Sequence, residues 1–319
     1  EKEGAFEVFI KLYKLIAPIR DNHLAFYSNK DSLLAKPALA EIAKSTIDSA
    51  ISAQHPKDSV AGTYYYETYK MELVKIKEYY VSVVESKGKY YTQFLLAEVT
   101  PNHFDLISFR DNGRKYFINR NVVFVNQRLS GTPYKKYQQN DFINIPSNVP
   151  VFEVKQLDES TTYLRLGNFG TSTKNIEASV KFYSQIGELS TPNLIVDLRN
   201  NGGGGYKNSG KFLSLIKKFK GKVHLLVNNY TISNAEQFTL DLMDSPNVTT
   251  YGERTRGTIC YGSNVGAVVD LPSKRFSFYI TDMKTRKKDL PFESIGIAPK
   301  VELNIFEKDW INQVMGIIK

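Results

Sequence analysis

Three textures along the chain predict an α/β core preceded by a helical N-terminal segment and a β-rich inserted module. Residues 5–20 place Phe6, Phe9, Ile10, Tyr13 and Ile16 at three- and four-residue spacing, the period of an amphipathic helix. Residues 63–125 are rich in tyrosine and alternate apolar with polar positions, as half-buried strands do. Beyond Val151, strand-like and helix-like runs alternate, the pattern of crossover-connected strands in one sheet. The expected parts are 1–56, a helical domain; 57–147, a β-rich module; and 148–319, an α/β core.

In the first part, Asp21-Asn22-His23 breaks the opening helix, and a second helix is expected from about Leu33 to Ala53, stopped by His55-Pro56. The strands of the middle part are carried by YYVSVVES, YYTQFLLAEV and VVFVN, punctuated at Lys87-Gly88, Pro101-Asn102 and Asn112-Gly113. The last of these reads as a two-residue hairpin turn, because both positions tolerate positive φ. Residues 130–141 read as linker. In the core, the strand TTYLRLGNF precedes a helix from Ile176 to Leu189, and the strand NLIVDLR leads through a Gly-rich turn to a helix from Ser209 to Lys218. The strand KVHLLVNN then feeds a helix from about Ser233 to Met243.

Composition narrows the function classes. With 42% hydrophobic and 24% charged residues the composition makes disorder and membrane spanning poor explanations, and no apolar run approaches the roughly 20 residues a membrane helix needs. The net charge of +9 invites a nucleic-acid reading. Its distribution argues against one, since the basic residues are scattered in short groups such as Lys217-Lys218 and Lys287-Lys288 where a nucleic-acid binder concentrates them in a stripe. The single cysteine, Cys260, excludes an internal disulfide and a multi-cysteine metal site. The opening Glu1-Lys2-Glu3 carries neither methionine nor a signal peptide, so any export signal is expected to be gone already.

Chemistry concentrates between Asn193 and Asp241. The buried run Leu194-Ile195-Val196 ends in Asp197-Leu198-Arg199 and empties into Asn200-Asn201 and four glycines, Gly202 to Gly205. Bare backbone N–H groups there can meet a substrate carbonyl or a developing oxyanion; a phosphate cradle or a flexible loop has the same composition. About thirty residues on, a strand runs into Thr231-Ile232-Ser233-Asn234-Ala235-Glu236 at the start of a helix. A serine at such an elbow is exposed at the positive end of the helix dipole and frees the next amide as an oxyanion donor. Taken alone, Ser233 reads first as an N-cap, with Glu236 three residues later completing a capping box.

The two motifs in this order resemble the signature of the serine peptidase family that includes tail-specific (C-terminal-processing) proteases, the tricorn protease core and interphotoreceptor retinoid-binding protein. GERTRG at 252–257 resembles that family's GEPTxG turn, and Phe292 to Pro299 resembles its GxGIxPD ending, with Lys300 in place of the aspartate. The resemblance covers about residues 150–305. It implies a crotonase-like (ClpP/crotonase) spiral in the core, a Ser233 nucleophile, a protein or peptide substrate, no metal or organic cofactor, and export to the periplasm, exterior or cell surface.

Departures from the pattern choose the branch. The tail-specific enzymes place their lysine base one residue after the GEPTxG turn; here that residue is Thr258, and Lys222 and Lys274 have no motif to recommend them. The Ser-His-Glu arrangement of the tricorn-like branch is similar instead. It implies His23, whose Asp21-Asn22-His23-Leu24 resembles the family's DGHT segment, as general base, and Glu293, 60 residues after Ser233, as the group that orients it. The oxyanion would be held by the amides of Gly203 or Gly204 with Asn234. His55, His103 and His224 are the rival histidines and Glu253 the rival acid. The peptide-binding PDZ module of the tail-specific enzymes is not evident in residues 63–125. A catalytically silent binding protein on the same scaffold, with a peptide, lipid or carbohydrate ligand, is the alternative function.

Overall fold

The computed structural model describes residues 5–29, 40–109, 116–263 and 266–318. The chain forms two compact units, each built from two stretches: Glu1–Gln138 with Tyr261–Lys284, and Gln139–Cys260 with Thr285–Lys319.

The chain begins in the first unit with α1 (Ala5–Ile16), β1 (Ala25–Ser28), β2 (Ala40–Ile42) and α2 (Lys44–Ser52). A meander follows: β3 (Gly62–Tyr66), β4 (Tyr69–Ile76), β5 (Tyr79–Ser86), β6 (Lys89–Thr92), β7 (Phe94–Thr100), β8 (His103–Ser108), β9 (Phe117–Val125) and β10 (Arg128–Ser130). It then crosses to the second unit for β11 (Phe152–Asp158), β12 (Thr161–Leu166), α3 (Thr173–Gln185), β13 (Asn193–Asp197), α4 (Tyr206–Lys218), β14 (Lys222–Val227), α5 (Asn234–Met243) and β15 (Val248–Gly252). It returns to the first unit for β16 (Val268–Asp270) and β17 (Phe276–Tyr279). It ends in the second with a 3₁₀ turn (Leu290–Phe292), β18 (Val301–Glu302) and α6 (Trp310–Ile318).

In the first unit one sheet runs β16-β17-β1-β9-β8-β7-β5-β4-β3, with β10 on β9 and the β2-β6 pair on β5. The sequence predicts a separate helical domain over 1–56, but the packing joins that stretch to the β-rich one. Phe9 and Tyr13 of α1 are buried against Phe26, Val74, Val83, Ile107 and Phe276 of the sheet. Tyr13 Oη and Arg20 Nη1 both donate to the buried Asp105 carboxylate of β8, at 3.2 and 3.3 Å. A 12-residue amphipathic helix gains its stability from such a partner face rather than from itself. Residues 261–284, placed in the core by sequence, return here because β17 pairs antiparallel with β1, Phe26 opposite Phe278.

The long helix expected from Leu33 to Ala53 is in part a strand. Ala40–Ile42 pairs with β6 and only Lys44–Ser52 is helical, while 30–39 lie outside the described residues. Ladder bonds to Tyr90–Thr92 outweigh the helical propensity of this alanine-rich stretch. The proposed Asn112-Gly113 hairpin also lies outside the described residues. YYTQFLLAEV divides at Gln93, whose N–H donates to Ser82 Oγ at 3.0 Å.

The second unit carries the six-stranded order β11-β12-β13-β14-β15-β18, antiparallel between β11 and β12 and parallel from β12 onward. Parallel strands are covered on both faces, so they read as continuous apolar runs. Leu194 and Val196 of β13 and Val223, Leu225 and Val227 of β14 face Phe182, Phe212 and Phe238 of the helices. The opposite face carries Tyr163, Ile195 and His224, all buried. The α/β alternation predicted beyond Val151 is present. The Gly-rich turn and the Ser233 turn follow the carboxyl ends of β13 and β14, where ligands bind in open α/β sheets.

Candidate active site

The two turns are built as one piece. Asn228, just past β14, accepts the N–H groups of Asn200 and Tyr230 on Oδ1, at 3.0 and 3.1 Å. Its Nδ2 donates to Asn200 Oδ1 and to the Ile143 carbonyl, at 2.7 and 3.0 Å. Thr231 Oγ1 donates to the Leu198 carbonyl at 3.0 Å, and Ile232 N–H to the Asn201 carbonyl at 2.9 Å. Asn201 Nδ2 donates to Leu166 O at 2.7 Å. Every one of these side chains is buried or half-buried, so the Asn200-Asn201 pair reads as turn architecture rather than reactive groups.

Asp197 and Arg199, at the same strand end, are an ion pair. Arg199 Nε and Nη2 donate to the two Asp197 oxygens at 3.0–3.1 and 2.7 Å, and Tyr163 Oη donates to the same carboxylate at 3.0 Å. Burial pushes the Asp197 carboxyl up, and the Arg199 guanidinium more than reverses that, holding it below the usual carboxylate range. Sequence reasoning missed this pair. An acid and a base two residues apart at a strand end project to one side, and that spacing was the available signal.

Ser233 caps α5 with φ 58° and ψ −121°. A serine held in the left-handed half of conformational space costs about 1–3 kcal/mol, and such strain clusters at functional sites. The glycines explain how it is approached. A Cβ on Gly203 would stand 2.9 Å from Ser233 Cβ and 2.6 Å from the Ile232 carbonyl oxygen, so only glycine lets the turn lie against the elbow. A Cβ on Gly204 would overlap the Phe169 carbonyl at 1.8 Å.

Of the three expected oxyanion donors, Gly203 is already engaged: its N–H donates to Asn201 Oδ1 at 2.9 Å. The neighbouring bonds are Phe169 N–H to Gly203 O and Gly205 N–H to Phe169 O, at 3.1 and 3.0 Å. Among the described residues no acceptor is present for the N–H of Gly204 or of Asn234.

The sequence presents Glu236 only as the far half of a capping box. Its Oε2 does accept Ser233 N–H at 3.0 Å, but it also accepts Thr258 N–H at 2.9 Å, while Oε1 accepts Thr255 Oγ1 and Gly257 N–H, both at 2.6 Å. The side chain is fully buried, and burial, opposed by those four donors, pushes the carboxyl up to about 7. Its neighbours Ala235, Phe238, Thr239 and Leu240 are buried with it.

Glu293 follows the 3₁₀ turn, and its Oε2 accepts Ile259 and Cys260 N–H at 3.0 and 2.8 Å. Four consecutive amides, Gly257 to Cys260, therefore donate to two carboxylates. Ser233, Gly203, Gly204, Asn234, Glu236 and Glu293 all belong to the second unit. His23 belongs to the first, in the turn after α1, where Asp21 Oδ1 accepts the N–H groups of His23 and Leu24 at 2.9 and 3.1 Å and Oδ2 accepts Thr281 Oγ1 at 2.5 Å.

The rivals have other work. His224 is buried within β14, its Nδ1 3.2 Å from Tyr251 Oη and its Nε2 3.2 Å from Asn193 Oδ1, and burial, helped by Lys222, pushes it down to about 4. His55 Nδ1 accepts Lys57 N–H at 3.1 Å, and His103 pairs with Asn121 at 3.2 Å. Glu253 accepts Asn229 N–H at 3.0 Å. Burial, and then Glu293, pushes the Cys260 thiol up to about 12. Among the described residues no group of three or more His, Cys, Asp or Glu side chains could hold a metal ion, and no helix is long and apolar enough to cross a membrane.

No family profile matches the chain, and no curated protein is similar to it. Solved structures do match in part. A candidate peptidase from Parabacteroides merdae is 19% identical with a TM-score of 0.42, over 68% of this chain and 78% of that one. A photosystem II D1 C-terminal processing protease is 15% identical with a TM-score of 0.37, over 95% and 83%. The tricorn protease is 13% identical with a TM-score of 0.36, over 81% of this chain and 29% of that one. At these TM-scores the likenesses leave the function to be argued from the site.

Proposed function

We propose that the chain is a serine-type peptidase in which Ser233 attacks a peptide carbonyl. The observation that supports this is the strained elbow itself: a serine at φ 58° on a helix N-terminus, with Gly203 lying against it and, among the described residues, no acceptor for the N–H of Gly204 or Asn234. A helix cap alone needs no such conformation.

In this reading Ser233 Oγ bonds to the carbonyl carbon as its proton passes to His23, and the oxyanion is held by the N–H groups of Gly204 and Asn234. Since Gly203 N–H is occupied, Gly204 is the better of the two glycine donors. The C–N bond then breaks, the amine leaves with the proton from His23, and water hydrolyses the acyl-enzyme by the same steps. Glu293 is proposed to orient the imidazole, with Oε2 already fixed by two amides. The Ser-His-Glu assignment, the crotonase-like spiral and export rest on the sequence resemblance. Thr258, engaged through its N–H with Glu236, stands where a lysine base would otherwise be.

A fluorophosphonate probe tests the reading. Covalent labelling that maps to Ser233 and is lost in Ser233→Ala, together with loss of peptide cleavage by several orders of magnitude, is the expected result. A folded protein that the probe does not modify would instead be the silent binding protein.

A further inference from the structure

We propose that Glu236 is a positioning residue for this reaction, fixing the Ser233 elbow and, through the shared run of amides from Gly257 to Cys260, the Glu293 carboxylate. The inference rests on the peptidase reading above and adds a residue whose role is neither attack nor proton transfer.

The donor set carries the argument. A helix cap is satisfied by one N–H, and Ser233 supplies it. The other three donors, Thr255, Gly257 and Thr258, lie 19, 21 and 22 residues further on, in the loop after β15. Glu236 is therefore where the start of α5 and that loop are joined. Both oxygens are committed to donors, and the one near the serine faces its amide, so the carboxylate does not serve as the base. Among the described residues no lysine or arginine makes a salt bridge to it, so its four donors, with the more distant charge of buried Arg256, offset the desolvation of a fully buried carboxylate. Such an arrangement is costly, and it fixes geometry at every donor.

The loop extends the effect. Gly257 and Thr258 donate to Glu236, and the next two residues donate to Glu293. The same loop is held to the Glu293 segment by Ser294 N–H to Gly257 O at 2.8 Å and Ile297 N–H to Thr255 Oγ1 at 2.8 Å. Releasing Glu236 frees one end of a four-amide strip whose other end sets Glu293 Oε2.

The test uses the full chain. Glu236→Gln keeps the volume but turns an NH₂ toward N–H donors. The expected result is a fall of about tenfold or more in both kcat and the rate of fluorophosphonate labelling at Ser233, with KM changed less than about twofold. Glu236→Gln with Glu293→Gln should be less than additive in kcat, because the two act through one loop. Amide hydrogen exchange at Gly257 and Thr258 should quicken in Glu236→Gln whether or not the protein is a peptidase, which separates the two readings. If the variant does not fold, Thr255→Val, which removes one donor, should lower labelling while Thr255→Ser restores it. Wild-type labelling in folded Glu236→Gln, or unchanged exchange at Gly257 and Thr258, would overturn the proposal. Absence of labelling in the wild-type chain would overturn the peptidase reading instead.

Discussion

Gly203 lies so close to Ser233 that a single added methyl group would reach 2.9 Å from the serine Cβ and 3.0 Å from the Asn234 amide nitrogen. The listless appearance of a four-glycine run in sequence hides this contact, which joins the carboxyl ends of two neighbouring strands.

Gly203→Ala is accordingly expected to displace the elbow, since the φ of +87° at Gly203 is also one that alanine adopts poorly. Labelling of Ser233 should fall at least about a hundredfold, because positioning errors of an ångström cost that much. Gly202→Ala, where an added Cβ meets nothing within 4 Å, is the control and should be labelled at nearly the wild-type rate.

The Asp197–Arg199 pair should matter to stability more than to chemistry. Arg199→Met leaves a carboxylate buried with its main partner gone and is expected to destabilise the second unit by about 3–5 kcal/mol. Asp197→Leu with Arg199→Met should recover part of that loss. Denaturant unfolding of the two variants checks both statements.

Buried His224 gives the stability a pH dependence with a defined sign. Its pKa falls from 6.5 to about 4 on folding, so between those values the unfolded chain binds the proton and the folded chain does not. Its contribution is therefore fully present above pH 6.5 and is lost as the pH falls toward 4. His224→Gln should gain stability relative to wild type across that window, measured as the difference in urea midpoint at pH 7 and at pH 4.5. Glu236, raised to about 7, acts in the opposite sense: stability linked to it is present at low pH and lost as the pH rises through 7.

Cys260 is expected to resist alkylation at neutral pH. It is buried, and its thiol is pushed up to about 12, so little thiolate exists to react. Iodoacetamide should leave labelling of Ser233 intact in the native protein and should modify Cys260 only in denaturant, as read by intact mass.

The sequence by itself determined the texture of the second unit and singled out the two turns proposed to carry its chemistry. Short apolar runs mark β13 and β14 because strands covered on both faces favour apolar residues, and the Gly-rich and Ser233 turns stand out because local backbone demands are written in residue type. Whether Ser233 is a cap or an elbow was open in sequence, since both need a small polar residue before a helix; the structure has the capping box with Glu236 in place and adds a φ of 58° that a cap does not require. Only the tertiary structure decided what depends on distant partners. Ala40–Ile42 became a strand because β6 offered it a ladder, α1 joined the β-rich unit because Asp105 and the Phe26 cluster bury its face, and residues 261–284 returned there through the β1–β17 pairing. Glu236 is the sharpest case. Its three-residue spacing from Ser233 announces a cap, whereas the three donors that make it a hub come from residues 255–258, which no local pattern connects to it.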